Sequence, residues 1–560
     1  MPAGAADDFE LRVDSYFGQP VSVGTPGLYA EVSNQTGRTV QGRLEARFPD
    51  GELAGWVELE LPAGSRRHTD LRVNLQPRHD RLKLELKLLV EGKLRAVQSL
   101  ELRYLSNATL VLSPEPSLLG LVNAHELRVN HLATSRAVLR APESARAYLG
   151  ASRVVLHDRA RLALSELQMA ALADFARSGG ELVFIATSDP NEYRGTPLEA
   201  FFPLQPVRTV TLKAGYELLT GNVLSGGTVL VKREGHPLMI AAGRGLGRVY
   251  LITAEMTRPQ LLGEKTSFAL LDRIFMGGPN DWPRWQPQEL WGLSHADRIR
   301  YPAIALALGG YFLAAGPLNF WFLRKRQRRV WALLTLPLLS LTFSALIVLY
   351  TAQTRGFEPR LEQFGLLRLE SGQNRGLYEA TVFLDTLWEG TYTLECGAEA
   401  DLSAAGSYYG EDLIASGTGL CNGRLEMRDL KLNAWSGTTL LLTESRPLPG
   451  PVTLVLERQG DRLVGYVQND SGLTLEECQF SDRGLASEFF RLEPGRKSIA
   501  MALSKAPPRD PSEQRRVLLD TVHRGGGLWL TGFLAQSPDP VTGQGVGRRR
   551  DENILAVLLR

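Results

Sequence analysis

Two stretches near the middle of the chain are long, apolar and free of charged side chains. They cover 301–323 (YPAIALALGGYFLAAGPLNFWFL) and 330–352 (VWALLTLPLLSLTFSALIVLYTA). At about 1.5 Å per residue, a helix of either length crosses a hydrocarbon core of about 30 Å. The pattern therefore predicts two transmembrane helices that form a tight hairpin.

The connection between the two stretches, 324–329, is strongly basic. Its charged residues are Arg324, Lys325, Arg326, Arg328 and Arg329. Because basic loops tend to remain in the cytoplasm, we expect a cytoplasmic loop in a bacterial inner membrane, with both large flanks extracytoplasmic. A buried hairpin in a soluble protein is the alternative, and the uncharged runs argue against it.

An extracytoplasmic amino-terminal flank requires an export signal. The opening MPAGAADDFE has no basic segment followed by an apolar one. The run AGAA (3–6) is similar to the small-residue end of a cleaved signal peptide. We therefore expect the natural start to lie further upstream.

The first apolar stretch carries a stripe of small residues at helical spacing: Ala303, Ala307, Gly310 and Ala314. Small side chains allow another helix to approach closely. The second stretch of the same chain is the nearest partner for this stripe, and a separate membrane protein is the alternative.

The amino-terminal flank, from residue 9 to about 105, consists of short runs in which apolar and polar residues alternate. WVELEL (56–61) and LKLELKLLV (82–90) are examples. Such alternation indicates strands with one buried face, and about seven of them predict an immunoglobulin-like β-sandwich over 1–106. The alternation returns over 357–505, which predicts a β-rich extracytoplasmic domain, followed by a small α/β segment over 506–560.

Residues 107–290 show a different pattern. ATLVLS (108–113), RVVLHD (153–158) and ELVFIAT (181–187) are continuous apolar runs, typical of strands buried on both faces. A helix is predicted over 165–177, with Ser165 and Gln168 forming a capping box. The fold class predicted for the whole chain is therefore a multidomain α+β membrane protein with an α/β domain between the β-sandwich and the hairpin.

Composition excludes one class of partner. The chain has 63 basic and 61 acidic residues, a formal net charge of +2. A balance this close gives no electrostatic footprint for nucleic acid, so no nucleic-acid partner is expected.

The α/β region resembles the class I glutamine amidotransferase-like (flavodoxin-like) fold, in which a thiol nucleophile lies beside a histidine. Residues 107–290 contain no cysteine, so amidotransferase activity is excluded for this region. The acid–base groups that remain are His125, His131, His157, Asp158 and His236, for which ordinary structural placement is the favoured interpretation.

Cofactor motifs are equally lacking in the sequence. No spacing matches a metal motif, and the glycine-rich GRGLG (243–247) lacks the Lys-Ser/Thr ending of a phosphate loop and joins two predicted strands. We interpret it as a β-turn and expect no cofactor, so any energy input must come from another polypeptide.

The three cysteines lie in the last third of the chain. Cys396 and Cys421 are 25 residues apart in a strand-rich region. A disulfide between them is allowed in an oxidising compartment, and two buried reduced thiols are the equally weighted alternative.

Several segments together resemble a group of bacterial two-helix membrane proteins with extracytoplasmic β-sandwich and amidotransferase-like domains. The segments are FELRVDSYFG, VSNQTGRTVQGRL, LSELQMAALADFARSGGELVFIA, GRGLGRVYLI and GPLNFWFLRKRQRR. Such proteins are often encoded near MoxR-type ATPases or ABC-type transporters. The resemblance implies a non-catalytic envelope component and transfers no catalytic residue.

Two functional hypotheses follow. The first is a non-catalytic, membrane-anchored scaffold or accessory subunit of an envelope or transporter complex, which binds a protein, peptide or glycan and docks on a membrane partner such as an ATPase-coupled permease. The alternative is a membrane-tethered envelope hydrolase in which carboxylates, or His157 and Asp158, perform acid–base work in the cleft of the α/β domain. A transport pathway through two uncharged spans fits poorly.

Overall fold

The structure, a computed structural model, describes most of the chain. The described residues are 8–16, 20–21, 27–73, 81–104, 108–113, 118, 122, 136–137, 141–148, 151–157, 164–185, 189, 191–213, 215, 217–254, 269–272, 274, 301–325, 331–355, 358–404, 417–421, 424–434, 436–482, 485–505, 522, 528–534, 541–543, 546 and 549–559. Strands hold 59% of them and helices 18%.

Eight strands lie in the first hundred residues: β1 (Phe9–Ser15), β2 (Pro20–Val21), β3 (Gly27–Asn34), β4 (Val40–Arg47), β5 (Leu53–Leu61), β6 (Arg66–Arg72), β7 (Arg81–Val90) and β8 (Lys93–Tyr104). The next region contains β9 (Ala108–Leu112), β10 (Arg136–Ala137), β11 (Ala151–His157), α1 (Glu166–Arg177), β12 (Glu181–Ile185), β13 (Leu204–Thr211), β14 (Glu217–Val223), β15 (Gly227–Arg233), β16 (His236–Arg244) and β17 (Gly247–Ile252).

The hairpin contains α2 (Tyr301–Leu313), a π-helical turn (Ala314–Leu318), α3 (Asn319–Lys325) and α4 (Ala332–Arg355). After it come β18 (Arg360–Glu370), β19 (Arg375–Asp385), β20 (Gly390–Gly397), β21 (Asp401–Ala404), β22 (Thr418–Cys421), β23 (Arg424–Leu432), β24 (Gly437–Pro447), β25 (Val452–Gln459), β26 (Arg462–Asn469), β27 (Leu475–Asp482), β28 (Leu485–Ala486), β29 (Phe490–Leu492), β30 (Gly495–Ala502), β31 (Leu528–Leu534), β32 (Thr542–Gly543) and β33 (Arg549–Leu559).

These strands form four main sheets. The amino-terminal sheet has the order β1-β3-β6, and the mixed sheet has the order β10-β9-β11-β12-β17-β16-β15. The bridging sheet has the order β2-β8-β7-β4-β5-β22-β23-β20-β32, so it joins strands from both sides of the hairpin. The carboxy-terminal sheet has the order β21-β24-β19-β18-β33-β31-β27-β28, with β29 beside β27. Smaller sheets are β13-β14 and β25-β26-β30.

The predicted fold class is wrong. The described chain is mostly β with four helices, and it is not a multidomain α+β fold with a flavodoxin-like α/β domain. The apolar runs at 108–112, 153–157 and 181–185 do form neighbouring parallel strands, but the same sheet continues through antiparallel β16 and β15. Continuous apolar runs report burial on both faces, which many sheet types share, so they do not identify a doubly wound domain.

Two local predictions are confirmed. Ser165 caps α1, since its Oγ accepts from the amide of Gln168 at 3.2 Å while its own amide donates to Gln168 Oε1 at 2.8 Å. The GRGLG segment is the turn between antiparallel β16 and β17, where Gly245 takes a positive φ of 61°. That backbone conformation favours glycine.

The bridging sheet covers two cores at once. Its inner face at β4, β5 and β7 packs on the amino-terminal sheet through residues such as Leu44, Leu59 and Leu84. Its inner face at β20 and β23 packs on the carboxy-terminal sheet through residues such as Leu394 and Met427. The described strands of 506–560 pair with strands of 357–505 in two sheets, β31 and β33 in the carboxy-terminal sheet and β32 beside β20 in the bridging sheet, although the domain boundaries stay a prediction.

Candidate functional site

The hairpin exposes an apolar surface. Over Ala305–Lys325 and Ala332–Tyr350 the two helices are long and apolar enough to cross a membrane, and almost none of either span is buried against protein. Leu306 is 77% exposed and Leu333 is 81% exposed. Contiguous apolar surface of this size marks a membrane or a protein interface, which is compatible with membrane association.

A polar pair links the two helices near their basic ends. Pro317 lies inside the π-helical turn, and Asn319, two residues later, begins α3. Thr335 Oγ1 on α4 donates a hydrogen bond to Asn319 Oδ1 at 3.1 Å. The hydrogen bond pairs the Thr335 hydroxyl with the Asn319 carbonyl oxygen within an apolar segment.

The predicted stripe of small residues lies along α2 and the π-helical turn. Ala307 and Ala314 are partly buried. A Cβ added to Gly310 would lie 3.9 Å from Cε1 of Phe343 on α4, so the stripe approaches the chain's own second helix there. Ala303 also belongs to α2, but its side chain is outside the described part of the chain.

The predicted topology residues lie at the end of α3 and beyond it. Arg324 and Lys325 are exposed, and Lys325 Nζ lies 5.3 Å from the ring centroid of Trp321. Arg326, Arg328 and Arg329 lie outside the described residues.

The two flanks of the hairpin meet at a seam in the bridging sheet. Parallel β5 and β22 pair through Gly55–Thr418, Trp56–Gly419 and Val57–Leu420. Trp56 is 1% exposed and lies across Gly419, where an added Cβ would be 2.2 Å from Cε2 of the indole. The guanidinium groups of Arg43 and Arg428 lie 4.8 and 4.3 Å from the centroid of the same ring. Side chains from before and after the hairpin therefore cover one tryptophan.

A second seam joins α1 and the β16–β17 turn to the carboxy-terminal sheet. Leu246 is 2% exposed and packs with Phe364 and Trp529. The amide of Gly245 donates to Glu370 Oε2 at 2.7 Å, and Arg375 lies 3.3 Å from Asp174. Both seams fasten residues before the hairpin to residues after it.

The disulfide that the sequence allowed is contradicted. Neither Cys396 nor Cys421 takes part in a disulfide in the structure. Cys396 pairs with Leu425 and Cys421 pairs with Arg424, on opposite sides of β23. Since neighbours along a strand point to opposite faces, the two thiols also point apart. Two strand spacings, about 9.6 Å, exceed the Cα separation of a disulfide, about 4.4–6.8 Å.

One pair of polar side chains lies where parallel strands of the mixed sheet end. Ser113 directly follows β9, and its Oγ is 3.3 Å from Nδ1 of His157 at the end of β11. His157 is 2% exposed, whereas Ser113 is partly exposed. The carboxyl ends of parallel strands are a common position for ligand sites.

Sequence reasoning singled out His157 but missed Ser113. The available signal was that each residue follows an apolar run, so adjacent parallel strands would bring the two together. Their separation of 44 positions along the chain hides that adjacency. Asp158, His125 and His131 lie outside the described residues, and His236 begins β16, partly buried and on another strand. Among the residues that the structure describes, no group of three or more His, Cys, Asp or Glu forms a metal cluster.

Comparisons with known proteins assign neither family nor function. No family model matches the chain, and no curated protein matches it. Among solved structures, a cytoplasmic protein of Salmonella typhimurium LT2 is 13% identical, with a TM-score of 0.24, over 35% of this chain and 95% of its own. An exo-β-1,4-mannosidase of Opitutaceae bacterium strain TAV5 is 13% identical, with a TM-score of 0.24, over 30% and 35%. A β-galactosidase of Rahnella sp. R3 is 10% identical, with a TM-score of 0.21, over 61% and 41%.

Proposed function

We propose that the protein is a membrane-anchored extracytoplasmic scaffold or accessory subunit of a bacterial inner-membrane complex. The observation that carries this proposal is the seam between β5 and β22, which closes one sheet from strands on both sides of the hairpin. A sheet cannot be hydrogen-bonded across a bilayer, so two helices that cross the membrane must return the chain to the side from which it came.

The charge of the hairpin loop supports the orientation. Five basic residues in 324–329 favour a cytoplasmic loop. The sheets formed by the two flanks of the hairpin then lie outside the cytoplasm. The resemblance to bacterial two-helix envelope proteins favours the same placement.

The exposed faces of the hairpin support a membrane partner. Almost none of either span is buried against the described part of the chain, which leaves most of the helix surface to lipid or to other spans. Large residues such as Phe312 and Leu341, each 69% exposed, lie on that surface. We propose an ATPase-coupled permease or another envelope complex as the partner, with the soluble body binding a protein, peptide or glycan.

Topology is tested with one added cysteine at a time in a Cys421→Ser background, in which the two remaining cysteines, Cys396 and Cys478, are buried. Glu60→Cys reports the flank before the hairpin, Glu457→Cys the flank after it, and Gln327→Cys the loop. A membrane-impermeant maleimide applied to spheroplasts should label positions 60 and 457 at once and position 327 only after permeabilisation. Labelling of positions 60 and 457 under different conditions would refute the placement of both flanks on the same side of the membrane.

The partner is tested by mild-detergent purification of the tagged full-length protein from native membranes. The matched control carries an unrelated hairpin at 301–352. Stoichiometric recovery of a membrane protein that is lost in the control supports docking through the hairpin. Recovery of the chain alone in both samples argues against an accessory subunit.

A further inference from the structure

The sheet itself fixes the pair formed by Ser113 and His157. The two residues lie one position beyond Leu112 and Leu156, which are partners in the parallel register of β9 and β11. Their side chains therefore leave neighbouring strands, about 4.8 Å apart, on the same face. A hydroxyl oxygen 3.3 Å from an imidazole nitrogen follows directly from this placement.

The two members of the pair differ in access. His157 is buried at 2% exposure beside Ile185, its register partner on β12, while Ser113 is partly exposed. Val111 and Val155, on the same sheet face as the pair, are also buried. A serine hydroxyl on a partly exposed residue beside a buried imidazole is an arrangement in which histidine can take the proton of a serine nucleophile, with distances that are often looser than 3.2 Å before substrate binds.

We infer that Ser113 is a nucleophile and His157 is its general base in the hydrolysis of esters. In acylation, Ser113 Oγ bonds to the carbonyl carbon and the bond from that carbon to the alcohol oxygen breaks. The serine proton passes to His157 Nδ1 and then to the departing alcohol. In deacylation, the oxygen of water bonds to the acyl carbon while His157 accepts a proton from the water. The bond between the acyl carbon and Ser113 Oγ then breaks, Oγ takes the proton back from His157, and the carboxylic acid leaves.

This activity is separate from anchoring and docking, so either proposal can fail without the other. The test uses the full-length protein in detergent with a fluorophosphonate probe, followed by peptide mass spectrometry. The expected result is a phosphonyl adduct on Ser113 together with hydrolysis of p-nitrophenyl acetate. Ser113→Ala should lose both, and His157→Gln should slow labelling about 100-fold because the general base is gone.

Ser225→Ala is the matched control, since Ser225 is an exposed serine between β14 and β15, and it should label like the parent. An unlabelled Ser113 in folded protein, with a known serine esterase labelled in the same tube, would overturn the inference, as would equal labelling of Ser113 and Ser225. If Ser113→Ala does not fold, Ser113→Cys replaces it. Alkylation of that thiol faster than Cys421 supports activation by His157, and alkylation at the same rate or slower contradicts it.

Discussion

The two nine-stranded sheets of the molecule are assembled in different ways. The carboxy-terminal sheet takes its described strands from after the hairpin, and its parallel pair β18–β33 runs from Leu361–Arg549 to Glu370–Leu558. The bridging sheet depends on only three residue pairs between β5 and β22 to join its two halves. The first sheet is complete on one side of the hairpin, whereas the second forms only when the membrane segment has brought both flanks together.

The two sheets are also held by different interactions. At the centre of the carboxy-terminal sheet, the hydroxyl of Tyr378 accepts from Gln363 Nε2 and donates to Asn553 Oδ1, both at 2.6 Å. Gly365 leaves the room for this network, since a Cβ there would lie 2.2 Å from the hydroxyl. The bridging seam instead relies on the covered indole of Trp56. Substitutions can therefore weaken one sheet and spare the other.

The largest effect is expected from Trp56→Ala. The change removes a buried indole from the β5–β22 seam and leaves a cavity over Gly419, at a cost of about 4 kcal/mol in the free energy of unfolding. Urea denaturation in detergent measures this cost, and limited proteolysis should show the flanks separating. Trp388→Ala is the control, since Trp388 is 55% exposed. Equal losses in the two variants would mean that the seam does not join the flanks.

Leu246→Ala is expected to cost somewhat less, about 3 kcal/mol. Leu246 fills the apolar cluster between the β16–β17 turn and the carboxy-terminal sheet, so the second seam should loosen while the bridging sheet stays paired. The measurement is the same denaturation series. Leu224→Ala, another turn leucine at 38% exposure, should change stability little, and a comparable loss there would argue against a specific role for the cluster.

Tyr378→Phe tests the polar centre of the carboxy-terminal sheet alone. Without the hydroxyl, Gln363 and Asn553, which are 0% and 2% exposed, each lose a hydrogen-bond partner. We expect a loss of about 1–2 kcal/mol by urea denaturation. Tyr466→Phe removes a hydroxyl from a partly exposed ring in the β25-β26-β30 sheet and serves as the control. A neutral Tyr378→Phe would show that the network adds no net stability.

The sequence allowed prediction of features that depend on neighbouring residues. The uncharged runs at 301–323 and 330–352, the cap at Ser165 and the GRGLG turn are all local signals, and the structure contains an apolar helix pair, a capped helix and a turn at these positions. The sequence did not predict features that depend on pairing between strands far apart in the chain. Gly55 and Thr418 are register partners across more than three hundred residues, and alternation along each strand says which face is buried without saying which strand lies beside it.

Distant strand pairing also explains two errors in the candidate site, the missed Ser113 and the expected disulfide between Cys396 and Cys421. Ser113 and His157 are each the first polar residue after an apolar run, and only the order of the parallel strands makes them neighbours. The spacing between Cys396 and Cys421 fits a disulfide loop, but the intervening strand β23 keeps the thiols on opposite faces. The α/β expectation failed because apolar runs indicate burial and not the connection between strands.

Cys421→Ser should have the smallest effect on stability, and the reactivity of the cysteines distinguishes the outer face of the bridging sheet from its buried face. Cys421 is partly exposed on the outer face, while Cys396 and Cys478 are buried at 2% and 0% exposure. Burial raises the pKa of the Cys478 thiol to about 12, so little thiolate forms at neutral pH. Burial, and secondarily a hydrogen bond to Glu426, also raises the pKa of Cys421. Cys421 should therefore react faster than the buried cysteines because reagents can reach it, and not because its thiol is more acidic.

Iodoacetamide should therefore alkylate Cys421 first in native protein and reach Cys396 and Cys478 only after unfolding, with stability unchanged in Cys421→Ser because the side chain fills no core. Peptide mass spectrometry measures the order of alkylation. A disulfide-linked peptide containing Cys396 and Cys421 would contradict the placement of the two thiols on opposite sides of β23 and on opposite faces of the sheet.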